Sequence, residues 1–209
     1  MNYKLEDIET RANMYALLSR FLLQEVDEKG LDFLRENENI DQLFPNLKSW
    51  DLWNNMDNKT LVNEHLNVDF TNISLLHLIP YETFYTRDDQ MVETGGANPV
   101  TNHYHEYGFR VEFETARVVS PDHIGIELEF MFKLVSAQIE AIKNGDFETA
   151  DNLLKVQDKF LKEHILTWIS LYLINVKYEA RTPFYHDLAE TTLAFLLEDG
   201  EFLTKLDEK

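Results

Sequence analysis

Apolar residues return at helical spacing along almost the whole chain, and this pattern limits what the chain can fold into more than any other feature. Leu5, Ile8, Ala12, Tyr15 and Leu22 mark one face of a first helix, with Leu18 and Phe21 widening the stripe. A second amphipathic stretch runs from about Asp27 to Phe44 with a break near Asn37-Glu38-Asn39, and Pro45 with the Asn-rich run to Asn58 predicts short helices and turns. Val62, Leu66, Phe70, Ile73 and Leu76 line a helix between Lys59 and Leu78 that ends before Pro80, because a proline pushes the residue ahead of it out of the helical region. Helical spacing resumes near His103 to Thr115, and Leu128, Met131, Val135, Ile139 and Ile142 share a face of the next helix. Gly145 stops that helix and Asp146 is placed to cap its successor. Further helices are expected from about Asp146 to His164, Ile165 to Glu179 and Pro183 to about Leu197, and no alternating run long enough for a buried sheet appears. The expectation is an all-α, single-domain bundle of roughly eight to ten helices.

The 209 residues, 44% of them hydrophobic, suffice for one well-buried core, so residues 1–209 are expected to form one domain. With no cysteine there is no disulfide scaffold, thiol nucleophile or thiolate metal site, and a cytoplasmic address is the simplest match. Met1-Asn2-Tyr3-Lys4-Leu5-Glu6-Asp7 lacks the basic-then-apolar layout of a secretion signal. The most apolar segment, Ile165 to Val176, is interrupted by Thr167, Ser170 and Asn175 and is shorter than the roughly 20 residues a bilayer requires, so it reads as a buried core helix and no stable membrane insertion is expected. Acidic residues number 38 against 19 basic ones, a net charge of −19 that repels phosphate backbones and excludes nucleic acid as a natural partner. The same surface attracts cations and basic peptides, and serves equally as a solvated acidic coat.

Two segments carry the site reading. From Pro80 to about Asn102 runs the one long irregular stretch, with Tyr81-Glu82-Thr83-Phe84-Tyr85 at its start and Gly95-Gly96-Ala97-Asn98-Pro99 near its end, a candidate hinge or lid. Ser120-Pro121-Asp122-His123 then opens a helix: Ser120 can cap free backbone N–H groups, Pro121 suits the first helical position, Asp122 meets the positive end of the dipole, and His123 is needed for none of this.

At these residues the chain resembles the cytoplasmic redox-enzyme maturation chaperones of the TorD, DmsD and NarJ type. Tyr15-Ala16-Leu17-Leu18-Ser19-Arg20-Phe21-Leu22 is similar to that family's aromatic-x-x-Leu first helix. Val68-Asp69-Phe70-Thr71 followed by Pro80-Tyr81-Glu82-Thr83-Phe84-Tyr85 resembles its middle helix and Pro-Tyr-Glu-Ser-x-Tyr turn, and Pro121-Asp122-His123 with Glu127-Leu128-Glu129-Phe130-Met131 resembles its most diagnostic motif. One departure is Val119-Ser120, where the family often carries an acidic residue.

The resemblance implies a non-enzymatic helical chaperone that binds the twin-arginine signal peptide, or the uncleaved N-terminus, of a molybdenum-cofactor oxidoreductase and holds the precursor in the cytoplasm until its cofactor is inserted. Such a ligand joins a basic segment to an apolar helix-forming one, so its binder is expected to set an acidic rim around an apolar groove. Tyr81, Glu82, Tyr85, Asp122, His123 and Glu127 are the residues expected to line or gate it. Each has a structural alternative: Asp122 as a capping carboxylate, His123 as a loop hydrogen-bonder, Tyr81 and Tyr85 as packing aromatics. The resemblance also carries an association with guanine nucleotides and the molybdenum cofactor; nothing in the sequence locates either, and no cofactor or metal is assigned.

Two other classes stay open. His103-Tyr104-His105-Glu106, with His77 and His123, offers ligands for a metal-dependent hydrolase, although a helix there turns residues two apart away from each other. No Gly-x-Ser-x-Gly elbow occurs, and seven glycines build no phosphate-cradling loop. The third reading is an acidic helical adaptor. The resemblance further implies helix exchange between protomers at Val118-Val119-Ser120-Pro121, hence a monomer with some domain-swapped dimer.

Overall fold

The computed structural model describes residues 4–37 and 39–207; Met1 to Tyr3 of the leading segment and Glu38 of the expected break lie outside the described residues. In chain order the helices are α1 (Leu5–Leu23), α2 (Glu28–Glu36), α3 (Ile40–Leu43), α4 (Asp51–Asn55), α5 (Asn58–Thr60), α6 (Asn67–Thr71), α7 (Glu82–Thr86), α8 (Thr101–Glu106), α9 (Phe113–Ala116), α10 (Ile124–Lys143), α11 (Phe147–Phe160), α12 (Leu166–Glu179) and α13 (Pro183–Asp207). Wider π-helical turns at Leu61–Leu66, Asn72–Leu76 and Leu161–Ile165 carry the backbone from α5 to α6, beyond α6, and from α11 to α12. No strand forms among the described residues; Tyr81 and His123 make an isolated antiparallel bridge. The all-α class expected from the apolar spacing is the class observed.

Several boundaries differ from the sequence reading for identifiable reasons. The helix expected over residues 103–115 is two short ones, because Gly108 takes a left-handed φ of 65° after α8 and Phe109 N–H closes back on the Tyr104 carbonyl. The irregular stretch after Pro80 contains α7, which leaves residues 87–100 without regular structure. The last helix continues well past Leu197 to Asp207, through Gly200, whose missing side chain leaves room for Leu166. Gly145 does end α10, at φ 75°, and Asp146 caps α11 by accepting the Thr149 N–H at 3.1 Å.

The chain forms two compact units. The first comprises residues 1–23, 81–169 and 195–209. Its centre is α1 packed along α10, with α11 against α10. Gly125 permits a close approach: a Cβ there would stand 2.6 Å from Leu23 Cβ and 2.9 Å from its Cα, and Ser19 Oγ donates to the Gly125 carbonyl at 2.8 Å. Arg11 and Tyr15 of α1 converge on Asp199 of α13, with Arg11 Nε and Nη2 donating at 2.5 and 3.0 Å and the tyrosine hydroxyl at 2.7 Å. All three are buried. Burial and the neighbouring Asp199 carboxylate hold the Tyr15 hydroxyl well above its usual range, so it stays protonated and donates.

The second unit comprises residues 24–80 and 170–194. Leu31, Leu34, Leu66 and Leu188 are buried in it, and Phe44 stacks on Phe184 at 5.1 Å. Asp69 is buried and accepts the Arg181 and Thr182 N–H groups and the Thr182 hydroxyl, which fixes the start of α13. The segment expected to be a buried core helix, Ile165 to Val176, buries Ile169, Leu173 and Val176 but turns Leu171 and Ile174 outward. Tyr178 continues that outward stripe at 86% exposure. No helix among the described residues is long and apolar enough to cross a membrane.

Candidate functional site

The six residues singled out in the sequence all fall in the first unit, where the antiparallel bridge between Tyr81 and His123 joins the start of α7 to the start of α10. Glu82 N–H donates to the Asp122 carbonyl at 3.0 Å. The Asp122 carboxylate takes the Thr83 N–H at 2.8 Å and the Thr83 hydroxyl at 2.6 Å, satisfying the first turn of α7. Its other oxygen receives Ser120 Oγ, which also lies 2.7 Å from the Glu93 carbonyl and accepts from Asn98 Nδ2 at 3.0 Å. Glu93 N–H in turn donates to the Thr83 hydroxyl at 2.9 Å. The irregular segment is thus tied to Asp122 through Glu93 and Asn98.

This arrangement overturns the expected helix start. Ser120 and Asp122 are spent on α7 and on residues 93–98, and α10 is capped by His123, whose Nδ1 accepts the Gly125 N–H at 3.0 Å. The His123 carbonyl takes the Ile126 and Glu127 N–H groups. Burial lowers the pKa of this imidazole to about 3, so its Nδ1 keeps the lone pair that capping requires. Tyr81 packs edge-on against the His123 ring at 5.1 Å, and its hydroxyl accepts the Val119 N–H at 3.2 Å.

Glu127, one turn into α10, is fully buried. Burial, then the Glu82 and Asp122 carboxylates, push its pKa well above the usual range. Neither of its oxygens makes a well-formed hydrogen bond, although the Glu82 carboxyl and the Trp168 indole are close enough to interact with it. Glu82 is also buried and faces His164, with Nδ1 at 3.1 and 3.2 Å from its two oxygens. Tyr85, half-buried, stacks on Trp168 at 5.2 Å, and burial raises its hydroxyl pKa to about 12. Glu82, Asp122, His123 and Glu127 thus form a buried, largely acidic cluster, and Tyr81 and Tyr85 are its partly exposed neighbours. A groove edged by exposed carboxylates was expected; the cleft of about 360 Å³ beside α10 is lined by Tyr107, Phe109 and Phe130 and edged by Arg110, Lys133 and Glu129, a mixed rim.

Sequence reasoning missed His164, Trp168, Thr83 and Asn98. Their signal lies in tertiary contact: Glu82 and His164 are 82 residues apart and no local spacing links them. The expected histidine group does not assemble. His77 pairs with Glu179 in the second unit at 3.1 Å, His123 is committed to its cap, and the helix at α8 separates His103 from His105. His103 instead meets His164, their rings 5.0 Å apart.

Comparison with known proteins adds the decisive observation: the model of the nitrate reductase delta subunit family matches residues 37–172, well over half of the chain. The chain belongs to this family, that of TorD and NarJ. Within it the chain is 23% identical over 214 residues to the chaperone protein TorD of Vibrio atlanticus (strain LGP32), covering 93% of this chain and 95% of that one. It is 22% identical over 214 residues to TorD of Vibrio cholerae serotype O1 (strain ATCC 39315 / El Tor Inaba N16961), covering 95% and 94%. TorD of Photobacterium profundum is 28% identical over 127 residues, 60% of this chain and 56% of that one. No solved structure matches the chain significantly. The TorD-family resemblance read from the motifs is thereby established, and the motif residues Tyr81, Glu82, Asp122, His123 and Glu127 all lie inside the matched region.

Proposed function

We propose that this chain is a cytoplasmic, non-catalytic maturation chaperone that binds the twin-arginine leader or N-terminus of a molybdenum-cofactor oxidoreductase and retains the precursor until its cofactor is in place. Membership of the TorD family and the chaperone names of its relatives support the general role. The observation that carries the ligand class is Glu127, a buried carboxyl beside two others with neither oxygen well paired. A guanidinium is planar, permanently charged and bidentate, and so supplies both the charge and the paired donors such a group lacks. Tyr81 and Tyr85 are the partly exposed members of the group, and in this reading an arginine enters past them. In this reading the pocket is closed in the free chaperone and opened by the leader, the apolar part of which packs on neighbouring helix surface.

Isothermal titration with a synthetic leader carrying paired arginines, and with its paired-lysine counterpart, tests the reading. Wild-type protein is expected to prefer the arginine leader by roughly tenfold or more, and Glu127→Gln, close in shape and neutral, to lose that preference. Equal affinity for the two leaders, or an unchanged preference in Glu127→Gln, would remove the pocket from the account and leave an acidic helical adaptor.

A further inference from the structure

We propose that His103, Glu163 and His164 form a divalent transition-metal site, with Glu82 behind it, that fastens α8 to the π-helical turn Leu161–Ile165. One ligand atom from each of the three residues lies within 4.8 Å of the others. Around a tetrahedral zinc, ligand atoms bound at about 2.0–2.2 Å sit roughly 3.3 Å apart, so side-chain rotation alone closes the gap. Glu163 is exposed and makes most of that adjustment; His103 is half-buried, edge-on to Phe160 at 5.6 Å, and the buried His164 is the fixed point. Glu163 has a competing cation in Lys159, at a loose 3.9 Å between exposed side chains.

Two features separate this cluster from an accidental grouping. The first is Glu82, which engages His164 Nδ1 and so leaves Nε2 for a metal; a carboxylate on the far nitrogen of a ligating imidazole fixes its tautomer and strengthens it as a donor. Second, the π-helical turn changes the register between α11 and α12 at the two ligands, and such turns recur at functional sites. The other cluster of this kind, His186, Asp187 and Glu190, is already consumed: Asp187 holds the Asn46 backbone and side chain, and Glu190 holds Lys177.

Two imidazoles and one carboxylate suit zinc, cobalt or nickel and not magnesium or calcium, and leave at least one position for water or another ligand. An ion there would anchor the C-terminal end of the irregular segment 87–100, which Glu93 and Asn98 also tie down, and would stiffen the surroundings of Glu82. The site stands apart from the leader reading, since its probe is the metal alone.

The test uses the full chain with any affinity tag removed, titrated with Co²⁺ and followed by the visible bands of a tetrahedral cobalt complex, with Zn²⁺ displacement and thermal melting alongside. One equivalent is expected to bind with tetrahedral bands and to raise Tm. His103→Ala and Glu163→Gln, at a half-buried and an exposed position, are each expected to abolish the bands; Glu82→Gln should weaken binding roughly 10–100-fold, and His186→Ala should change nothing. Absence of saturable binding, bands that persist in His103→Ala and Glu163→Gln, or loss in His186→Ala would overturn the proposal.

Discussion

Asp122 holds Thr83 twice, through its backbone N–H at 2.8 Å and its hydroxyl at 2.6 Å, and so fastens the start of a helix 39 residues earlier in the chain to the segment that precedes α10. Asp122, one of the six residues expected to line or gate the groove, therefore caps a distant helix. Removing it in Asp122→Ala leaves the Thr83 N–H and hydroxyl without their acceptor in a buried place, while Ser120 keeps the Glu93 carbonyl, at a cost of roughly 2–4 kcal/mol. Urea unfolding should show a correspondingly lower midpoint; an unchanged midpoint would contradict this role. Weaker leader binding in that variant would report the lost cap as much as a lost contact, which is why Glu127→Gln is the better probe.

His123 makes a pH prediction with a definite sign. Its folded pKa of about 3 lies below the unfolded value of 6.5, so the unfolded chain binds the proton more readily. The stability this represents is fully present above about pH 6.5 and is lost as the pH falls toward 3, with a ceiling of roughly 4–5 kcal/mol. His123→Asn keeps a capping oxygen and removes the proton site, so its stability should fall less steeply than wild type across that window. Parallel acid limbs for the two proteins would refute the assignment.

Glu127 works in the opposite direction. Its raised folded pKa stabilises the fold fully below its unfolded value near 4.5, and that contribution is lost as the pH rises toward the folded pKa. Glu127→Gln should accordingly melt at least as high as wild type at pH 8, with the difference shrinking toward pH 4. A lower melting temperature at pH 8 would mean that the charged form is needed for folding.

Gly125→Ala tests the contact that sets α10 against α1. The added Cβ falls 2.6 Å from Leu23 Cβ and close to its backbone, so the two helices must part at a cost of about 1–3 kcal/mol. Gly96→Ala, where the new methyl meets nothing within 4 Å, should be close to neutral. Equal melting temperatures for the two variants would contradict the packing.

Asp199→Ala strands the buried Arg11 guanidinium and the Tyr15 hydroxyl, and is expected to cost roughly 3–5 kcal/mol in chemical denaturation. A loss below about 1 kcal/mol, the worth of an exposed pair, would show that water reaches the triad.

Elements governed by local chemistry were legible in the sequence. The Leu5 to Leu22 stripe, the stop at Gly145 and the Asp146 cap depend on residues within a few positions of one another, and each stands where the spacing puts it. The start of α10 was not legible, because Ser120, Asp122 and His123 can all cap a helix, and the choice among them is made by Thr83, Glu93 and Asn98, acceptors and donors far away in sequence. The end of α13, expected at about Leu197, was hidden for a related reason: the helix runs on through Gly200, where Leu166 packs against it. The candidate site was half legible. Its six motif residues do gather, but their burial and their partners His164 and Trp168 follow from tertiary packing alone.

The central claim, that this chain retains a redox-enzyme precursor through a buried carboxyl pocket, is tested most directly by affinity capture from the native host's cytoplasm, comparing wild type with Glu127→Gln and identifying the captured proteins by mass spectrometry. The account predicts that wild type enriches one molybdenum-cofactor oxidoreductase precursor with its N-terminal segment intact, and that Glu127→Gln, equally folded, does not. Equal capture by both proteins, or no such precursor with wild type, would contradict it.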